Sequence, residues 1–525
     1  MRILSFKPGH DGTISFISNS SLIFSLEGEK NSFTRYEKIT PDTFLNAMTY
    51  LKEIPDVIAI SGWVRGFHSA DFPSDAGYFG FDDRSILTGK RSFLNKNIDY
   101  FSSTHERSHI LCSYGLSPFE QGKPCYALNW EGNIGSFYEI DGKLNINCIG
   151  KVLEDPGNKY SFLFTIANKN APIHKGHFMF SNAGKLMALT SFGNQGPINN
   201  DEHEIIEYLL NKKSILLSTD KRELTWSKYY DIGVESQEFK DLAKKFSDKI
   251  FSLFYKFAKN NMNKGYPLLI SGGCGLNCDW NTKWKNSGLF SDVFVPPCCN
   301  DSGSAIGTAI DAQFYYSNNA KVSWSVYCGE NFIYDIDIQT ITNEFEVCPV
   351  NYNHIASFLS KDKIIAWVQG KYEIGPRALG NRSILASPLK KENRDRLNKI
   401  KKREDYRPIA PICLEQEVSD YFEWKERSPY MLYFQKVKSD SLPAVTHVDK
   451  SARIQTVKES ENYNISILLK EFKKITGYSV LCNTSLNFKG KGFINTLSDL
   501  INFCRLHDLD GFVAGDDFFI KRSKS

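Results

Sequence analysis

No stretch of this 525-residue chain stays apolar long enough to span a bilayer. Its first residues, MRILSFKPGHDGTISF, hold no apolar core behind a basic start, so no secretion signal is expected. The 12 cysteines form no compact framework. Cys274/Cys278 and Cys298/Cys299 are close pairs without zinc-ribbon spacing, which predicts reduced thiols in a cytoplasmic protein. An excess of either charge is also missing: a formal net charge of +4 neither requires nor excludes nucleic acid. There is no Walker A motif, no dinucleotide fingerprint, no solenoid repeat and no low-complexity segment.

What remains is an ordinary globular composition, 41% apolar and 24% charged, in a chain long enough for two to four domains. Aromatic residues reach 14%, which suits large cores and pockets for flat ligands.

The pattern along the chain is α/β. Short apolar runs at 3–6, 13–17 and 22–26, separated by turn residues, predict an antiparallel meander with GHDG at its first tip. Helices are expected over 41–54, 103–115, 201–211 and 237–261. The last carries Phe239, Leu242, Phe246, Ile250, Leu253 and Phe257 at helical spacing, a core stripe. Lys185–Gly193 reads as a loop of small residues. From residue 267 a strand–glycine–helix pattern repeats twice, predicting an α/β layer with ligand-facing loops at its strand ends. Weak periodicity over 317–350 places a junction there, giving domains 1–340 and 341–525.

Several stretches carry chemistry. Ile374–Ser387, IGPRALGNRSILAS, sets Arg377 and Arg382 among glycines and a serine. Glycine lets backbone approach an anion, and guanidinium forks match phosphate or carboxylate oxygens. The plainer reading is a Gly/Pro turn with solvated arginines. Similar stretches recur downstream: KKREDYRPIAP with Lys401, Lys402, Arg403 and Arg407; PAVTHVDKSARIQT with Arg453; and NTSLN with Asn483, Ser485 and Asn487. Arg407 and Arg453 sit among apolar and proline residues, which predicts partial burial and an anionic partner. An anionic, planar, phosphorylated small molecule is the implied ligand class.

In the N-terminal part, His105 and His109 stand four apart on a predicted helix, so their imidazoles share one face. That spacing suits a divalent metal, although i,i+4 histidines are commonly incidental; Asp301, at a strand-to-helix turn, is a candidate further ligand. His10-Asp11-Gly12 is either plain hairpin chemistry or a phosphate-facing loop with a histidine base. Ser271-Gly272-Gly273, followed by Leu276-Asn277, lies where glycines and a helix start favour a nucleotide.

Taken in this order, GPRALGNRSIL, REDYRPIAP, LPAVTHVD with ARIQTV, and CNTSLN resemble the O-carbamoyltransferase family of the nodulation protein U and cephamycin/tobramycin carbamoyltransferase type, over nearly the whole chain. The resemblance implies an actin-like ATPase (ASKHA-type) domain followed by a YrdC-like α/β domain. It implies carbamoyl phosphate, ATP and an iron-type divalent metal, with Mg brought by ATP. The C-terminal domain would make carbamoyl-adenylate and the N-terminal one would pass the carbamoyl group to an acceptor hydroxyl on a sugar, a natural product or a hydroxymethylated nucleotide. A homodimer is compatible with the family, and no membrane partner is implied.

By motif, Arg377, Arg382, Lys401, Arg407, Arg453, Asn483, Ser485 and Asn487 would hold carbamoyl phosphate and adenylate. Gly272, Gly273 and Asn277 match the nucleotide loop. His10 with Asp11 match the transfer base, and His105, His109 and Asp301 match the metal ligands. Two departures stand out. The family's DGxG turn appears as Asn129-Trp130-Glu131-Gly132, so either Glu131 replaces the usual aspartate or metal affinity falls. Lys491-Gly492 replaces an acidic-proline pair. The insert-like segment Gly66–Asn97 is expected to shape the acceptor pocket. Alternatives are a threonylcarbamoyl-type tRNA modifier, which the mild charge does not favour, and a non-catalytic nucleotide-binding protein, which Asn129 would favour.

Overall fold

The structure, a computed structural model, describes residues 1–32, 34–63, 75–171, 180–507 and 509–522. Residues 66–74 of the insert-like segment lie outside the described residues.

The predicted opening meander is present as β1 (Arg2–Lys7), β2 (Thr13–Ser18) and β3 (Ser21–Glu27). β4 (Val57–Ser61) pairs parallel to β1. β5 (Ile86–Phe93) and β6 (Lys96–Ser103) follow, β6 parallel to β4 and β5 antiparallel at the edge. The order is β3-β2-β1-β4-β6-β5.

A second sheet repeats the plan. β7 (Cys125–Trp130), β8 (Gly135–Ile140) and β9 (Ile146–Lys151) are a meander, and β10 (Leu268–Ser271) and β11 (Val293–Phe294) run parallel to β7. Its order is β9-β8-β7-β10-β11, the first sheet's order without the extra edge strand. This duplicated α/β core has the actin-like arrangement. The helix that follows each sheet crosses to the other: His105–Leu116 packs on β7 and β10, Ser304–Ser317 packs on β1 and β4, and the two helices pack together.

The 237–261 helix is realised as Gln237–Asn261, with Phe239, Leu242, Phe246, Ile250 and Phe254 fully buried. Each is worth about 1.5–3 kcal/mol of burial. The stripe turns to Phe254 rather than Leu253. The loop expected at 185–193 is instead the helix Ser181–Thr190. Leu186 and Leu189 are fully buried at i,i+3 against the helices Pro156–Ala167 and Gln237–Asn261, so tertiary packing overrides the small-residue signal.

The remaining strands are β12 (Phe345–Pro349), β13 (Ile365–Val368), β14 (Arg382–Ala386), β15 (Ala410–Leu414), β16 (Phe434–Lys436), β17 (Ser451–Arg453), β18 (Gln455–Val457), β19 (Val480–Ser485), β20 (Gly511–Ala514) and β21 (Asp517–Lys521). Eight of them form one mixed sheet, β12-β21-β20-β13-β14-β19-β15-β18, and β16 with β17 make a small ribbon.

The IGPRALG stretch is the connection between antiparallel β13 and β14, and it leans on the N-terminal core. Gly375 has φ +82, and a Cβ there would stand 2.3 Å from the Pro297 carbonyl oxygen. Its N–H donates to Glu27 Oε1 at 2.7 Å, while Lys30 Nζ donates to the carbonyls of Glu373 (2.6 Å) and Gly375 (3.0 Å). All twelve cysteines are free thiols, and no described helix is long and apolar enough to cross a membrane.

Candidate active site

The duplicated sheets explain how distant residues meet. The β1–β2 turn carries His10 and Asp11; the corresponding β7–β8 turn carries Glu131. The helix after β6 carries His105 and His109, and the helix after β11 opens just beyond Asp301. Two turns and two helices, equivalent by strand order, therefore converge.

His105, His109, Glu131 and Asp301 each present a ligand atom, all within 4.8 Å of one another and all buried. His109 Nε2 stands 3.1 Å from His105 Nε2. Glu131 Oε2 stands 3.3 Å from His105 Nε2 and 3.5 Å from His109 Nε2. Asp301 lies 3.4 Å from His109 and 3.6 Å from His105. Ligands about 2.1 Å from a shared ion are themselves about 3.0–3.4 Å apart, so this donor set fits a divalent cation. Both histidines enter the cluster through Nε2, so these nitrogens and the carboxylate oxygens of Glu131 and Asp301 converge on one point. Tyr78 donates to Glu131 Oε1 at 3.1 Å and lays its ring 4.4 Å from His105, orienting both.

The charges are balanced within the cluster. Burial opposes ionisation of Asp301, but Lys7, His105 and His10 outweigh it and hold its carboxyl well below the usual range. Lys7, fully buried, reaches Asp301 Oδ2 at 3.0 Å. Burial opposes the charge on His109 as well, yet Asp301 and Glu131 together raise it; His105 is lowered, by burial foremost. His10 Nδ1 is 3.0 Å from Asp11 Oδ2, and Nε2 is 3.5 Å from Asp301 Oδ2. Of the two options for the altered turn, the geometry selects Glu131. Asn129 spends its amide N–H on the Glu106 carbonyl at 3.3 Å.

A second pocket lies between the 181–190 helix and the C-terminal sheet. Arg377, Arg403, Arg407 and Arg453 line it with His447, Pro408, Phe434 and the helix residues Gly184 and Ser191, and no carboxylate is among its lining residues. Arg407 comes only within 3.7 Å of Glu404. Nε of Arg377 and of Arg453 has no partner among the described residues. Burial, then the neighbouring guanidinium of Arg377, holds Arg453 down at about 9. Arg377 is lowered too, by burial first and then by Arg407.

The nucleotide-type loop adjoins this pocket, since Arg377 Nη2 donates to the Leu276 carbonyl at 3.4 Å. Gly272 has φ +88, and a Cβ there would strike the Trp130 carbonyl oxygen at 2.5 Å. Gly273 has open space around its Cβ position. Asn277 Oδ1 caps the Cys278–Lys285 helix, while its Nδ2 is buried without a partner among the described residues.

The other named residues play different parts. Lys401 Nζ donates to the carbonyls of Ser485 (2.6 Å) and Asn487 (2.9 Å) and to Asn487 Oδ1 (2.5 Å), and Ser485 Oγ donates to the same Oδ1 at 2.6 Å. These three form one knot that fixes the NTSLN loop beside the arginines. Asn483 Nδ2 holds the Ala378 carbonyl at 3.2 Å, next to Arg377.

Arg382 departs from expectation as an anion ligand. It is fully buried, and its donors go to the carbonyls of Gln369 (2.7 Å), Asn381 (2.8 Å) and Gly370 (2.9 Å) and to Asn495 Oδ1 (2.8 and 3.1 Å). No N–H is left for a ligand, so Arg382 is a brace for its own loop.

The sequence reading passed over Lys7, and it did not select Arg403 or His447 from their motifs. Lys7 was recognisable as a lysine at an otherwise apolar strand end, three residues before His10.

Two family models match the chain: Carbamoyltransferase N-terminus over residues 42–310 and Carbamoyltransferase C-terminus over 356–522. This chain belongs to the O-carbamoyltransferase family. The carbamoyltransferase is 44% identical to a 3'-hydroxymethylcephem-O-carbamoyltransferase of Amycolatopsis lactamdurans and 42% identical to one of Streptomyces clavuligerus, each over 99% of both chains. It is 30% identical to nodulation protein U of Sinorhizobium fredii, over 94% of this chain and 95% of the relative. The carbamoyltransferase is therefore an enzyme, and 94–99% of this chain aligns with these relatives.

Proposed function

We propose that this enzyme converts carbamoyl phosphate and ATP to carbamoyl-adenylate and passes the carbamoyl group to the hydroxymethyl oxygen of a cephem. The observation that carries the first half is the arginine pocket. Four guanidiniums without a lining carboxylate, beside a glycine loop, suit a ligand bearing several phosphate oxygens. In this reading residues 341–525, of YrdC type, form the adenylate. Water hydrolyses carbamoyl phosphate to carbamate and phosphate, a carbamate oxygen attacks the α-phosphorus of ATP, and pyrophosphate leaves with its charge held by Arg377, Arg403, Arg407 and Arg453.

Residues 1–340 then carry out transfer. Asp11 fixes His10 through Nδ1, which leaves Nε2 to take the acceptor's hydroxyl proton as its oxygen attacks the carbamoyl carbon and AMP departs. His105, His109, Glu131 and Asp301 would hold a divalent cation, of iron type by the resemblance, which supplies positive charge to the nucleotide phosphate. The cephem acceptor is favoured over a sugar or a nucleotide because the cephem-modifying relatives match at 42–44% end to end, against 30% for the nodulation protein.

The test incubates the protein with carbamoyl phosphate, ATP, a divalent metal and 3'-hydroxymethylcephem. Pyrophosphate release and a product heavier by one carbamoyl group are expected. His10→Ala should keep pyrophosphate release and lose the product. Absence of pyrophosphate under every metal condition overturns the adenylate route.

A further inference from the structure

Aromatic faces beside His10 are left unused by the transfer chemistry. Phe180 keeps 46% of its surface exposed, although its ring centre lies 4.9 Å from the His10 imidazole and 5.1 Å from the Tyr36 ring. Trp63 closes the other side, edge-on to His10 at 5.0 Å. A phenylalanine left nearly half open forgoes part of the roughly 1.5–3 kcal/mol that full burial would bring. Beside a reactive histidine, that face is open to a ligand.

Tyr36 is placed deliberately. Its φ is +61 and that of Asp11 is +52, left-handed values that cost a side chain about 1–2 kcal/mol. The two are joined, since Asp11 N–H donates to the Tyr36 carbonyl at 3.2 Å. This paired strain ties the phenol ring to the His10–Asp11 turn. The residue before it, Arg35, lays its guanidinium over the Tyr36 ring at 5.0 Å. It meets Glu29 through Nη1 at 3.3 Å and leaves 32% of its side chain exposed.

Building on the reading that the acceptor is a hydroxymethyl compound, we propose that Phe180, Tyr36 and Arg35 form the acceptor-recognition subsite. The two rings take the planar face of a ring double bond, and Arg35 takes a carboxylate next to the hydroxymethyl group. A hydroxymethylcephem has this layout: one carbon of its ring double bond bears the hydroxymethyl group and the other bears the carboxylate. Anchoring the ring and the acid leaves the hydroxyl oxygen to His10. A neutral sugar offers neither handle.

Steady-state carbamoyl transfer to the hydroxymethylcephem free acid and to its methyl ester tests the subsite, with product read by mass spectrometry. The wild type should favour the acid by about tenfold or more in kcat/KM, as a hydrogen bond to a charged group requires. Arg35→Met should erase that preference. Phe180→Ala should raise KM about tenfold for acid and ester alike, with kcat within about threefold, and Phe180→Tyr should restore KM. If Arg35→Met leaves Glu29 too poorly compensated to fold, Arg35→Lys carries the test with a several-fold smaller acid preference. Unchanged KM and unchanged acid preference in the variants, with an active wild type, overturn the subsite and leave the proposed reaction standing. A wild type that carbamoylates other alcohols but no cephem overturns the acceptor reading and the subsite together.

Discussion

The cluster around Asp301 and the pocket around Arg377 handle charge in opposite ways. In the first, two carboxylates, two imidazoles and Lys7 lie within a few ångströms of one another and largely compensate each other. In the second, four guanidiniums face each other with no carboxylate lining the space. A set of imidazole and carboxylate donors turned on one point is complementary to a cation. A set of like charges gathered around one space is complementary to an anion. Arg382 separates the two cases from a third. Five residues from Arg377, it is fully buried, but its donors are consumed by its own loop. Burial of an arginine therefore does not mark a site; an unspent donor does.

The largest effect should come from the pocket. Arg377→Ala removes a guanidinium whose Nε has no protein partner. Carbamoyl-phosphate-dependent pyrophosphate release should fall about 10³-fold, the scale for removing a donor aimed at developing charge. The folded protein should melt no lower than wild type, because the removed cation is repelled by Arg407 and Arg453. A lower melting temperature with intact pyrophosphate release would make Arg377 a brace like Arg382.

Arg382→Met is the converse experiment. It strands buried carbonyls of Gln369, Gly370 and Asn381 and the Asn495 side chain. An unsatisfied buried acceptor costs about 1–3 kcal/mol, so a loss of roughly 3 kcal/mol in stability is expected, read by denaturant unfolding. Retained stability with weakened nucleotide binding would return Arg382 to the ligand site.

These two arginines also show what the sequence could carry. Both stand in GPRALGNRS with the same residue types around them, and local chemistry assigns them alike. The difference is made by register: Arg382 opens β14 opposite Val368, inside the sheet, whereas Arg377 rides the loop above it. The turn residues, the His105/His109 spacing and the meander of β1 to β3 were legible because they are local. The duplication of the two sheets was not, since it is a likeness of strand order without a likeness of residues. The helix Ser181–Thr190 was hidden because Ser181, Gly184 and Ala188 give a weak periodic signal, and the burial of Leu186 and Leu189 depends on helices far along the chain.

Asp301→Asn should act through the cluster. It keeps the shape and removes one anionic ligand, while Lys7 loses the carboxylate it meets at 3.0 Å. Even changes to groups that only orient the ligands reduce metal affinity about 10- to 100-fold, so a ligand change should reach about 100-fold, measured by titration with the divalent ion alone. An unchanged affinity would show that Asp301 serves Lys7 and His10 rather than a metal.

The smallest effect is expected where the sequence looked most damaged. Asn129 stands where the family resemblance leads one to expect an aspartate, and two residues later Glu131 reaches the cluster. Glu131 stands 3.3 Å from His105 and 3.5 Å from His109, while Asn129 is committed to the Glu106 carbonyl. Asn129→Asp should therefore change metal affinity by less than about threefold, since four donors already converge and a carboxylate at 129 gives up the bond to the Glu106 carbonyl. Glu131→Gln, by contrast, should lower affinity about tenfold or more. A large gain from Asn129→Asp would mean that the cluster lacks a ligand, and that Glu131 supports the histidines without touching the metal.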